Sequence, residues 1–227
     1  MPKKKTYVKQ TDKEKPWNKK ANASEYKLEE VETNKTILIV SEGQTEELYF
    51  SSFPVLTLTV KCVNLKGQGK LKMIELTEDI IKNGVVRYDE VWCVFDMDVN
   101  KGAKEFADFD NAIVSGLTKG YKIAYSNDAF ELWFYLHYQY TDQPNHRSFY
   151  YNALGEKWGC NYEKDGKKRN YCESIYAKLA NDPAASQKEA LARAKKLYRA
   201  HEHATYHEQN PITTYRLVNF LNENLRK

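Results

Sequence analysis

Three short apolar runs in this chain end in acids. ILIVS runs into Glu42-Gly43, VWCVFD into Asp96-Met97-Asp98, and IAYSN into Asp128, with Glu131 three residues further on. Strand side chains alternate with period two, so Asp96 and Asp98 face the same way if the extended geometry continues. Carboxylates gathered in one crevice repel each other, and burial adds to the cost of their charge. A divalent cation removes that cost. Mg²⁺ in particular takes hard oxygen ligands, often one or two carboxylates with waters and substrate phosphates. Two such ions about 4 Å apart activate a water and stabilise a leaving oxygen in phosphodiester cleavage. A lone Asp at a strand end is most often a turn former or cap; three acidic strand ends at one edge point instead to a shared cation.

That edge follows from the elements that carry the acids. Residues 36–41 (TILIVS), 57–64 (TLTVKCVN), 90–96 (EVWCVFD) and 121–126 (YKIAYS) read as strands, the first nearly all apolar and so buried on both faces. Helices are expected after each: from Thr45, read as an N-cap with Glu46 and Glu47 in the first turn; near 70–83; near 103–118; and through the aromatic stretch DAFELWFYLHY. Strand and helix alternating four times predict an α/β fold with a parallel sheet flanked by helices. In such sheets ligands bind beyond the carboxyl ends of the strands. Past residue 140 the pattern is helical, near 147–157, 171–180, 186–205 and 211–225, with Asn210-Pro211 as cap and first residue of the last. The expected organisation is a basic mobile arm (1–35), an α/β core (36–140) and a helical C-terminal lobe (141–227).

Composition sets outer limits. The chain has 227 residues, 41% hydrophobic and 29% charged, an ordinary balance for a folded protein. No apolar run approaches the ~18–20 residues of a membrane span, and the basic N-terminus has no apolar segment behind it as a signal peptide would. The four cysteines are scattered without a C-x-x-C, which suits a reducing cytoplasm. The net charge of +4 divides into +4 over residues 1–35, −6 over 36–156 and +6 over 157–227. An acidic cation-binding middle between basic flanks suits a polyanionic partner.

The segments ILIVSEGQTEELYF, VWCVFDMD, AYSNDAFELWFYLHY and NPITTYRLVNFL, in that order, resemble the RloB family, which takes in the second component of the AbiL system. NYEKDGKKRNYCESIYAKL between them fits as well, so the likeness spans roughly residues 36–225. RloB proteins look like members of the Toprim superfamily. The resemblance implies a Toprim-like parallel sheet in which Glu42, Asp96 and Asp98 jointly hold Mg²⁺ or Mn²⁺. It also implies nuclease chemistry on DNA or RNA, tRNA among the candidates, in a bacterial anti-phage abortive-infection system with an ABC-type ATPase partner. The match at SNDAFELWF makes Glu131 a further catalytic candidate.

Other residues are weighed individually. A carboxylate on so aromatic a helix as that of Glu131 needs a partner or a metal. His137 on the same helix reads equally as a core histidine or an active-site group, and His201, His203 and His207 read as surface histidines because no other ligands complete a zinc site. Lys164, Lys167, Lys168 and Arg169 beside Tyr162 and Tyr171 form a basic turn suited to phosphate backbones or exposed bases. The 66–70 stretch KGQGK lacks Walker spacing, which argues against a nucleotide site. Two rival readings stand beside the nuclease. One is a phosphatase with Asp96 as nucleophile; the other is a non-catalytic sensor or adaptor docking on the ATPase or nucleic acid. Self-assembly is left open.

Overall fold

A computed structural model describes residues 34–98, 102–202, 205–208 and 212–225. The expected arm lies outside the described residues apart from Asn34 and Lys35, and Lys35 already opens the first strand. Four strands, β1 (Lys35–Ser41), β2 (Leu58–Asn64), β3 (Glu90–Met97) and β4 (Lys122–Asn127), form one sheet in the order β2-β1-β3-β4. Every pairing is parallel. The fold is α/β, as the alternation of strand and helix predicts.

Period-two alternation sends the strand residues to two cores. Ile37, Ile39, Trp92, Val94 and Ala124 face one side and pack with α1 (Gln44–Ser51) and with α4 (Glu131–Leu136), α5 (Arg147–Trp158), α6 (Arg169–Asn181), α7 (Gln187–Ala200) and α8 (Thr214–Asn222). Leu38, Val40, Cys93, Phe95, Met97, Ile123 and Tyr125 face the other and pack on α2 (Lys70–Asn83) and α3 (Ala103–Thr118). Both faces are therefore covered, which explains why β1 and β3 read as nearly continuous apolar runs. The β4 edge is closed as well. Ile212 bridges Ser126, while the Thr213 hydroxyl accepts the Tyr125 N–H at 2.9 Å and donates to the Ile123 carbonyl at 3.0 Å.

An aromatic layer locks α1 to α4. Tyr49 meets Phe50, Phe53, Phe130 and Phe134 edge-on, and its hydroxyl accepts from Trp133 Nε1 at 2.9 Å. His137 belongs to this core. Its Nδ1 lies 3.0 Å from the Trp133 carbonyl, and burial pushes its pKa down to about 4.

Several local expectations need correction. Gly43, not Thr45, is the N-cap of α1, and Thr45 is buried inside the helix with its hydroxyl 3.6 Å from Cys172 Sγ. The aromatic helix is shorter than expected and covers only Glu131–Leu136. A π-helical turn at Tyr162–Gly166, capped by the Asn161 side chain, had no signal in the apolar pattern. The last long helix ends at Ala200 instead of 205. Asn210-Pro211 lies outside the described residues, and α8 begins at Thr214.

Candidate functional site

Strand order determines where a ligand can sit. From β1 the chain passes outward to β2 on one side, and β3 lies on the other, so the connections diverge above the carboxyl ends of β1 and β3. Loops part at such a switch point and leave a crevice. Here the crevice is a cleft of about 530 Å³. Its walls carry Glu42, Glu46, Asp96 and Asp98 together with the cations Lys66, Arg147 and Lys167.

Each acid is delivered by a definite piece of backbone. The Glu42 N–H extends the β1–β3 ladder by donating to the Val94 carbonyl at 3.1 Å. Gly43 follows, where a Cβ would collide with the Glu46 carboxylate folded back over it. The Lys66-Gly67 turn closes the β2 side in left-handed backbone (φ 52° and 68°), with Gly67 N–H donating to the Glu42 carbonyl at 3.1 Å. Asp96 is the last residue but one of β3 and accepts from Phe130 N–H at 3.4 Å. Asp98 lies just past the strand.

The acids are answered by cations of the chain itself. Lys70 Nζ, buried at 1% exposure, is 3.3 Å from Glu42 Oε2 and also bonds Glu105. Burial works against the charge on Lys70; Glu42, then Glu105 and Asp96, outweigh it and raise its pKa. Arg147 Nη2 lies 3.9 Å from Asp96, 3.6 Å from Asp98 and 3.2 Å from Asp128. This compensation is incomplete. Desolvation raises the pKa of Asp96 despite Arg147, with Glu131 adding to the rise. Desolvation and the neighbouring Asp96 push Glu46 up to about 8.

The donor set is all hard oxygen and under-compensated, which fits Mg²⁺ or Mn²⁺ in chemistry. Among the described residues, no three His, Cys, Asp or Glu side chains are already grouped as a metal site. On the β3 side Arg147 stands against Asp96 and Asp98.

Glu42, Asp96 and Asp98 thus share one cleft. Glu131 does not line it. Its Oε1 accepts from Tyr162 at 3.0 Å and from Lys167 Nζ, while Oε2 is buried with no hydrogen-bond partner among the described residues. The partner that a buried carboxylate requires is therefore Lys167. Lys167 reaches the cleft with its ammonium 5.1 Å from the Tyr151 ring centroid, and its carbonyl accepts from Gln44 Nε2 at 3.3 Å.

The basic turn consequently divides. Lys167 points inward, whereas Lys168 pairs with Asp165 at 2.7 Å and Arg169 with Glu173 at 2.9 Å. Lys164 is exposed. The KGQGK loop offers no anion seat, because the Asp108 carboxylate already accepts from Lys70 N–H (2.6 Å) and Leu71 N–H (3.2 Å) at the start of α2. His207 is 2.5 Å from Asp110 and stacks on Phe106, so it is tied down rather than a free surface group; His203 lies outside the described residues.

Sequence reasoning missed Arg147 and the counter-ion role of Lys70, and preferred a helix-dipole reading of Glu46 to a ligand role. One signal for Arg147 does exist. A cation at the first position of a helix opposes the macrodipole, so acids elsewhere must hold it there.

No curated protein and no solved structure matches this chain. No described helix is long and apolar enough to cross a membrane. The model of the RloB-like protein family matches residues 37–221, which takes in all four strands from Ile37 onward, both cleft walls and nearly all of α8. The chain belongs to the RloB-like family.

Proposed function

We propose that the cleft is the active site of a Mg²⁺- or Mn²⁺-dependent nuclease of Toprim type. The observation that carries this reading is the arrival of Glu42 from β1 and of Asp96 and Asp98 from β3 in one cleft whose wall also bears Arg147 and Lys167. Glu42, Asp96 and Asp98 would hold the metal. When bound, the cation supplies a water of lowered pKa and charge stabilisation at the phosphorus oxygens.

The chain's own residues do the rest. Lys167, anchored by Glu131, presents an ammonium to a phosphate oxygen at the cleft wall. Burial, with Asp96 beside it, favours the neutral form of Glu46, which places a carboxyl group in the cleft that could donate a proton to the leaving oxygen. Lys164, Lys168 and Arg169 lie outside the cleft and suit the flanking backbone of the nucleic acid. Resemblance to the RloB family supports a cytoplasmic anti-phage role beside an ABC-type ATPase.

One observation favours a second reading. The chain's own cations already face the acids, Lys70 at Glu42 and Arg147 at Asp96 and Asp98, as they would in a non-catalytic sensor or adaptor. An incubation separates the two. The purified protein, with and without its ATPase, is mixed with plasmid DNA and with tRNA in Mg²⁺, in Mn²⁺ or in a chelator. The nuclease reading expects cleavage of at least one substrate that the chelator abolishes. Intact substrates under every condition would reject it.

A further inference from the structure

Arg147 is held in an uneven way. Its backbone N–H donates to Asp128 Oδ2 at 2.8 Å, and Nη2 reaches the Asp128 carboxylate at 3.2 Å and the Met97 and Asp128 carbonyls at 3.2 and 3.1 Å. Those are hydrogen bonds. The approaches to Asp98 and Asp96, at 3.6 and 3.9 Å, are attraction without a hydrogen bond. Nε is buried and has no hydrogen-bond partner among the described residues. The guanidinium is therefore moored on Asp128 and only leans over the two cleft acids, with donor capacity in reserve.

We propose that Arg147 is the resident counter-ion of Asp96 and Asp98, and that it becomes the grip on the substrate's phosphate once a divalent cation takes those acids. The inference rests on the metal reading of the cleft. A guanidinium and a divalent cation a few ångströms apart repel strongly in a partly buried site, so they compete for the same two carboxylates. The Asp128 mooring keeps the displaced side chain at the cleft wall. There its planar fork matches two phosphate oxygens, as a lysine ammonium cannot. Lys167 on the same cleft adds a second cation for the same group.

Mn²⁺ binding by calorimetry, without substrate, tests this in the wild type, Arg147→Gln and Arg147→Lys. Removing the competing charge should tighten Mn²⁺ binding in Arg147→Gln about tenfold, the equivalent of roughly one pKa unit of charge interaction. Arg147→Lys, which keeps the charge, should stay near the wild type. Binding of a short single-stranded oligonucleotide in Ca²⁺ should weaken about tenfold in both variants, since neither presents the fork.

Wild-type protein gives a test that needs no variant to fold. Labelling of Arg147 by phenylglyoxal, mapped by mass spectrometry, should rise when Mn²⁺ is added. Wild-type Mn²⁺ binding with a folded Arg147→Gln that binds no tighter would overturn the role of Arg147 and leave the metal reading standing. Unchanged labelling in Mn²⁺ would do the same. Absence of Mn²⁺ binding from wild type and variants alike would overturn both.

Discussion

Asp98→Asn should leave a folded protein that no longer cleaves. The Asp98 side chain is 22% exposed and sits 3.6 Å from Arg147, which keeps Asp128 at 3.2 Å and Asp96 at 3.9 Å after the substitution. Asn preserves size and removes one of several charges facing Arg147, so stability should move by no more than about 0.5 kcal/mol. Activity should behave quite differently. Losing one pre-positioned charge-stabilising group from an active site costs about a hundredfold or more in rate, and here the group lost is a proposed metal ligand. Thermal unfolding is measured on the same preparation as cleavage of plasmid DNA and of tRNA. The nuclease account expects a near wild-type melting temperature with cleavage reduced about a hundredfold. A stable variant that cleaves at the wild-type rate would remove Asp98 from the site.

Lys70→Met, behind the cleft wall at Glu42, should give a large stability loss. Lys70 is buried at 1% exposure between Glu42 and Glu105, and its raised pKa means that it carries its charge across the whole neutral range. Met conserves the aliphatic stem but leaves two partly buried carboxylates facing each other without their shared cation. Removing one partner of a buried ion pair costs about 3–5 kcal/mol, far more than an exposed pair is worth. Urea unfolding should show a lower midpoint with little change in slope. Millimolar Mg²⁺ should recover part of the loss, since a bound cation replaces some of the positive charge that Lys70 supplied beside Glu42. A loss below about 1 kcal/mol, the scale of an exposed pair, would show that Lys70 is not the counter-ion of Glu42.

The legible and illegible parts of the site differ in their physics. The runs 36–41 and 90–96 could be read because strands covered on both faces must be apolar at every position. Their ends could be read to within a residue because the change from Val or Phe to an acid falls at the carboxyl edge of the sheet, with β3 pairing on through Met97. Glu42, Asp96 and Asp98 therefore stand out in the sequence, and the switch point between β1 and β3 brings them together. Glu131 was legible only as a problem, a carboxylate among aromatics, and not in its solution. Lys167 is 36 residues away and reaches Glu131 through the turn at Tyr162–Gly166. That turn closes tightly because Gly166 has no Cβ to collide with the Tyr162 ring.

Arg147 and Asp108 were illegible for a related reason. Each does its work across tertiary space, Arg147 against β3 and Asp108 on the first amides of α2, and neither leaves a periodic trace along the chain. The basic turn shows the limit of reading charge by composition. Four neighbouring cations look alike in sequence, yet one enters the cleft, two pair with local acids and one stays in solvent.

The crevice above β1 and β3 should hold a divalent cation on Glu42, Asp96 and Asp98. Anomalous diffraction from crystals soaked in Mn²⁺ addresses it directly, because the signal locates the ion without reference to activity or substrate. A peak is expected in the cleft in contact with carboxylate oxygens of all three residues, with the Arg147 guanidinium withdrawn from Asp98. At saturating Mn²⁺, a cleft without a peak and with Arg147 still against Asp98 would contradict it.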